Sequence, residues 1–173
     1  MDTLENPDKR IPETNPYKQG KLFRRSVSGS VRIAAPPETV WQVLTDFAAY
    51  PAWNSFTKKV LTPFRPGTPV EMEVAFRGSR IMRQKEWVNH VDAPRHFSWS
   101  MHLGHPLLLT ANRHQWLETT GKGTRYRTTD LFSGLLAPLV MALYGAKMRE
   151  GFIRCAENLR DHVEGIHPPA GDG

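Results

Sequence analysis

Three features of the sequence predict an α+β fold. Residues 60–129 carry repeated period-two alternation broken by turn residues, the pattern of antiparallel strands that bury one face. Residues 135–164 place Leu136, Leu139, Val140, Leu143, Tyr144, Met148, Phe152, Ala156, Leu159 and Val163 at three- and four-residue steps, the stripe of one long amphipathic helix. A strand and short helices come before both, so strands and helices are segregated along the chain and do not alternate.

The elements read in order. Residues 1–22 form an extended arm: Pro7, Pro12, Pro16 and scattered charges leave no periodicity. Ser26 to Ala34 alternates through Val27, Val31 and Ile33 as a first strand. In APPETVWQVLTDF, Pro36 and Pro37 suit a helix start, where a missing N–H costs little, and Glu38 favours the positive end of the dipole. Val40, Trp41, Leu44 and Phe47 follow at helical spacing, and Pro51 stops or restarts the chain. Pro69 to Arg77 and Ile81 to Val91 are strands joined by a tight turn at Arg77–Arg80. Asp92-Ala93-Pro94-Arg95 is a turn. His96 to Leu103 puts Phe97, Trp99 and Met101 on one face. Leu108 to Glu118 and Thr124 to Phe132 pair through a hairpin turn at Thr119–Gly123. The long helix covers the apolar face of the sheet, and residues 165–173 form a flexible tail. One domain over residues 23–164 is expected from a chain of 173 residues.

Composition narrows the function. An apolar fraction of 39% and a charged fraction of 23% are those of a globular protein with a sizeable core. The net charge of +6 tolerates acidic partners, but acids intersperse the bases and no nucleic-acid-binding motif accompanies them, so no nucleic acid is expected. Cys155 is the single cysteine, which excludes an internal disulfide and a cysteine-rich zinc site. The apolar run Leu135–Tyr144 is too short to span a bilayer and the N-terminus carries no signal-like run, so a cytoplasmic setting is the expectation. His102 and His105 lack a third ligand, Gly121-x-Gly123 precedes a strand, and no G-x-S-x-G elbow exists; neither a metal nor a cofactor is expected.

The stretch SVRIAAPPETVWQVLTDFAAYPAWN, with VDAPRHFSW at 91–99 and GTRYRTTDLFSGLLAPLV at 123–140, resembles the START-like, Bet v 1-like superfamily that includes polyketide cyclase/dehydrase and lipid-transport proteins. The resemblance covers about residues 26–163. It implies a helix-grip fold: a seven-stranded antiparallel sheet wrapped around the C-terminal helix, with an internal cavity for an apolar ligand.

Within that frame Tyr50, Pro51 and Trp53 belong to a short helical turn at one end of the cavity, or else Trp53 and Phe47 are simply core. If Phe132 faces the grip, period two adds Asp130, Thr128 and Tyr126, and the preceding strand adds His114 and Trp116; a single bulge would swap the face. The expected lining is Tyr50, Trp53, Phe76, Phe97, Trp99, Met101, Trp116, Thr128 and Phe132, with Tyr144, Met148 and Phe152 from the long helix. Asp130 could orient His114 as a general base while Tyr126 polarises a carbonyl, a kit for aldol-type cyclisation or dehydration. Alternatively, His114 is a hydrogen-bonded sheet residue and Asp130 caps a turn or pairs with an arginine. Two functions therefore stand: binding of a small hydrophobic molecule (lipid, isoprenoid, quinone or aromatic polyketide-like), or a cyclase, aromatase or dehydratase on a related substrate. Membrane contact through the basic arm and Leu107-Leu108-Leu109 is a third, weaker reading. The chain is expected as a monomer or homodimer.

Overall fold

The structure is a computed structural model that describes residues 23–75 and 81–165. The expected arm over 1–22, Phe76, the turn at Arg77–Arg80 and residues 166–173 lie outside them. β1 (Arg24–Ile33) leads into α1 (Pro37–Thr45), a single 3-10 turn (Phe47–Ala49) and α2 (Tyr50–Trp53). Six strands follow: β2 (Thr57–Leu61), β3 (Pro69–Ala75), β4 (Ile81–Asp92), β5 (His96–His102), β6 (Thr110–Thr120) and β7 (Gly123–Ser133). The chain then enters α3 (Ala137–Val163). All pairings are antiparallel, in the order β1-β7-β6-β5-β4-β3-β2, and the curved sheet grips α3 as expected.

Local chemistry explains the boundaries. Pro36 and Pro37 start α1, and it ends at Asp46, whose backbone leaves the helical region while its carboxylate accepts from the Ala49 amide at 3.3 Å. The expected helix through Phe47 therefore breaks one turn early. α3 begins two residues later than the segment expected from 135, and the Leu135 and Leu136 amides that precede it donate to the Leu107 and Leu108 carbonyls of the β5–β6 loop. Asn54 joins the halves: its Oδ1 accepts from the Phe56 and Thr57 amides, and its Nδ2 donates to Cys155 Sγ on α3 at 3.4 Å.

Two glycines let α3 sit close. A Cβ on Gly29 of β1 would come 2.6 Å from the Phe152 carbonyl oxygen, and one on Gly151 would come 2.3 Å from the Phe56 ring. Close packing, rather than room for a ligand, is what Gly151 provides. The aromatics of residues 47–53 form a chain of ring contacts: Trp53 to Tyr50 at 4.9 Å, Tyr50 to Phe47 at 5.4 Å, then Phe47 to Phe64 and Trp99 at 5.0 and 6.2 Å. They cover β5 at one end of the concave face and are core, tied in by edge-to-face geometry.

Candidate functional site

The register of the β6–β7 hairpin decides which side chains meet. Thr120 pairs with Gly123, so Leu117 stands opposite Tyr126, Gln115 opposite Thr128 and Arg113 opposite Asp130. Directly paired residues share a face. The concave face, under α3, thus carries Arg113, Gln115, Tyr126, Thr128, Asp130 and Phe132, beside Phe97, Trp99 and the half-buried Met101 of β5. Glu86 joins them from β4 and is buried.

Arg113 is the centre of this group. Its Nε donates to Thr128 Oγ1 at 3.3 Å, and its guanidinium lies 4.3 Å from the Phe152 ring centroid and 5.9 Å from that of Phe56. Burying a guanidinium among aromatics is costly unless charge and hydrogen bonds compensate it. Burial works against its charge, and Cys155, Tyr126, Asp130 and Glu86 together outweigh that, so Arg113 stays protonated. Burial pushes Glu86 up to about 8, with the Asp130 charge adding to it and Arg113 opposing it. Burial pushes Asp130 up to about 6, opposed by Arg113. Burial thus raises both carboxyl groups while the guanidinium opposes the rise in each. Tyr126 donates to Gln115 Oε1 at 2.7 Å, and burial raises its phenol well above the ordinary range. Asp130 Oδ1 and Trp99 Nε1 are buried with no hydrogen-bond partner among the described residues, although Asp130 keeps part of its surface exposed. One acceptor and one donor on the same face are left for something else to satisfy.

The expected grouping of His114 and Trp116 with this face is corrected. Both lie on the convex face, where His96 pairs with Trp116 and Ser98 with His114. His114 Nδ1 is 3.1 Å from His96 Nε2, and the His96, His114 and Trp116 rings lie near-parallel at 5.0–5.3 Å. Arg127 caps Trp116 at 4.3 Å. Burial, with neighbouring His96, Arg127 and His90, lowers His114 to about 4; burial with His90 lowers His96 to about 4. His114 is thus a buried, neutral sheet histidine and cannot reach Asp130 or Tyr126 through the sheet.

The other expected residues divide similarly. Phe97, Trp99, Phe132, Met148 and Phe152 are buried in the core, Phe97 and Trp99 of β5 under Trp41, Phe47 and Phe64, and Phe152 of α3 against Arg113. Tyr50 is buried, but its hydroxyl donates to the Leu44 carbonyl at 2.7 Å and is not free for a ligand. Trp53 is buried against Tyr50 and His162. Tyr144 is 44% exposed and belongs to the outward side of α3, a second correction. Arg113, Gln115 and Glu86 are the concave residues that face assignment missed. The signal was present: a hairpin closing at Thr120–Gly123 puts Arg113, not His114, opposite Asp130. Three surface clefts, of about 420, 580 and 460 Å³, are lined by other residues; none of the three contains Arg113, Asp130 or Glu86.

The comparisons with known proteins agree with this fold. Residues 24–164 match the family described as polyketide cyclase / dehydrase and lipid transport, and the chain belongs to it. Among solved structures it is similar to the Zhui aromatase/cyclase from Streptomyces sp. R1128, at 20% identity and a TM-score of 0.66 over 86% of this chain and 98% of that one. TTHA0849 from Thermus thermophilus matches at 18% identity and a TM-score of 0.65, over 83% of this chain and all of the other (100%). The di-domain ARO/CYC BexL from the BE-7585A biosynthetic pathway matches at 14% identity and a TM-score of 0.66, covering 84% of this chain and 52% of BexL. At these identities the structures show the shared helix-grip fold. No curated protein matches the sequence. Family membership supports ligand binding or polyketide cyclase chemistry.

Proposed function

We propose that this chain binds a small, mainly hydrophobic molecule between the concave sheet and α3, with the molecule's polar end at Arg113. The observation that carries this reading is a buried guanidinium in an aromatic setting, flanked by the unpartnered Asp130 Oδ1 and Trp99 Nε1. The aromatic walls suit a lipid, isoprenoid, quinone or polyketide-like body; a carbonyl or hydroxyl at its end would accept from Arg113 or Trp99, and a hydroxyl would also donate to Asp130. Phe97, Trp99, Phe132, Met148 and Phe152 are in the lining, and binding moves α3 or these side chains apart. A reducing, cytoplasmic setting fits the buried free thiol of Cys155.

A second reading, catalysis, is favoured by one observation: two carboxyl groups, Glu86 and Asp130, share the concave face with Arg113, and burial raises both above the ordinary carboxylate range. Ionised Asp130 would take a proton from carbon beside a carbonyl. Protonated Glu86 would give one to the acceptor carbonyl oxygen, which becomes the hydroxyl of an aldol-type product. Arg113 would hold the enolate oxygen between the two transfers. This assigns to Glu86 and Arg113 the work that His114 cannot do from the convex face; Tyr126 keeps its hydroxyl on Gln115.

Native mass spectrometry of the purified full chain, followed by denaturing extraction, tests the binding reading. A co-purified apolar molecule with an oxygen-bearing end is expected. An empty protein that also fails to enhance 1-anilinonaphthalene-8-sulfonate fluorescence would overturn it. Turnover of a poly-β-ketone thioester that is lost in Glu86→Gln separates the second reading from the first.

A further inference from the structure

Six of the twelve exposed large apolar side chains among the described residues are leucines in two segments at one end of the sheet. Leu103, Leu107 and Leu108 on the β5–β6 loop are 52%, 44% and 41% exposed. Leu135, Leu139 and Leu143, before and along the first turns of α3, are 61%, 55% and 62% exposed. Leu109, which belongs with Leu107 and Leu108 in sequence, is instead buried in the core. The two leucine groups form one surface, because the Leu135 amide donates to the Leu107 carbonyl at 3.0 Å and the Leu136 amide to the Leu108 carbonyl at 2.9 Å. On α3 the leucines recur every four residues on the side away from the sheet, while Ala137, Gly145, Met148 and Phe152 fill the side toward it. The first turns of α3 are thus apolar on both sides, more than a helix covering a core requires.

The charge around this surface is mainly positive among the described residues, with the exposed Glu150 following Arg149 on α3. No Asp or Glu occurs in residues 93–117 or 131–149, which supply the loop and the start of α3. Arg24 opens β1 beside Ser133 at the same end of the sheet, and Lys147 and Arg149 follow on α3; all three are exposed. His102 and His105 flank the loop leucines and are exposed as well. A contiguous apolar patch on a globular protein marks a contact site. Apolar side chains beside a mainly basic rim match the two terms that hold a protein on an anionic bilayer: buried apolar area and attraction to acidic headgroups. A second copy of this chain would bring the same positive rim against itself.

We infer that this end of the molecule, Leu103–Leu108 together with Leu135, Leu139 and Leu143, docks peripherally on a bilayer containing anionic lipid. No described helix is long and apolar enough to cross a membrane, so the contact is superficial. Docking needs only this surface and stands apart from the Arg113 site.

Co-sedimentation of the full chain with vesicles tests the inference. Binding is expected to vesicles of phosphatidylcholine and phosphatidylglycerol in equal parts, to weaken severalfold in high salt, and to be slight with phosphatidylcholine alone. Leu107→Asp with Leu139→Asp should lower the bound fraction about tenfold or more, since each change puts a charge where an apolar contact forms. Arg24→Glu with Arg149→Glu should weaken binding to the anionic vesicles alone. These positions are exposed, and unchanged circular dichroism melts would show the variants folded. Absence of binding to anionic vesicles would overturn the inference, as would unchanged binding in the leucine variant. So would a dimer in sedimentation equilibrium that the leucine variant converts to monomer, since a second copy would then be the occupant.

Discussion

Residues 113 and 114 are neighbours in one strand, yet they belong to two different polar clusters set back to back across the sheet. On the concave side Arg113 keeps its charge, and burial raises both Glu86 and Asp130. On the convex side His114, His96 and Trp116 stack ring against ring, and burial keeps both histidines neutral. The convex cluster removes charge from its two histidines, keeps the Arg127 guanidinium over Trp116, and leaves His114 Nε2 and Arg127 Nε without a hydrogen-bond partner among the described residues. The concave one retains charge and leaves Asp130 Oδ1 and Trp99 Nε1 unpartnered. Both faces therefore hold unpartnered polar atoms, and what sets the concave one apart is a buried guanidinium with two carboxyl groups on the same face.

The most disruptive test of that contrast is Arg113→Met. It removes the only cation among the concave groups named above and leaves the carboxyl groups to be satisfied by protonation. A loss of about 3–5 kcal/mol in urea unfolding is expected, against about 1–2 kcal/mol for His114→Asn, which removes stacking but strands no charge. Equal losses would erase the distinction. Next in size is Gly29→Ala, which pushes α3 off β1 and so disturbs the concave face alone. It should cost about 1–3 kcal/mol and weaken probe binding, with the His96 and His114 resonances unmoved in NMR spectra.

pH sharpens the comparison, because the two faces work in opposite directions. His96 and His114 are lowered from 6.5 to about 4, so the unfolded chain binds protons before the folded one does. Their contribution is present in full above pH 6.5 and is lost as pH falls through about 4. Glu86 is raised from 4.5 to about 8, so its protonated form favours the folded chain. That contribution is present below pH 4.5 and is lost as pH rises through about 8. Asp130, raised from 3.8 to about 6, loses its share as pH rises through about 6. Unfolding free energy measured from pH 4 to 9 should fall at both ends. His114→Asn should flatten the acid limb and Glu86→Gln the alkaline one; either variant flattening the other's limb would contradict the assignment of charge to face. The smallest effect belongs to Tyr144→Ala, within about 0.5 kcal/mol, because Tyr144 points away from the sheet.

The fold was legible because its signals are periodic. Alternation in β3 to β7, the Thr119–Gly123 turn and the α3 stripe each report one buried face, and those faces have only one another to cover. The site was legible in part. Asp130, Thr128 and Phe132 follow correctly from counting by two along β7. His114 and Trp116 were drawn to the wrong side because aromatic and histidine side chains look like lining, whereas an arginine looks like surface. Arg113 contradicts that expectation because the concave face supplies Thr128, Phe152 and two carboxyl groups around it. Tyr144 shows the converse: on α3 the apolar stripe is wider than the buried face, and period alone cannot say which edge stays in water.

The most direct test of the two-faced sheet is a titration of wild type, Arg113→Met and His114→Asn with 1-anilinonaphthalene-8-sulfonate, an apolar ring system with an acidic end, read as fluorescence and checked by native mass spectrometry. The concave assignment predicts that Arg113→Met weakens binding about tenfold or more, by the loss of one charge-assisted contact, while His114→Asn binds as wild type does. Binding lost in His114→Asn and kept in Arg113→Met would contradict it.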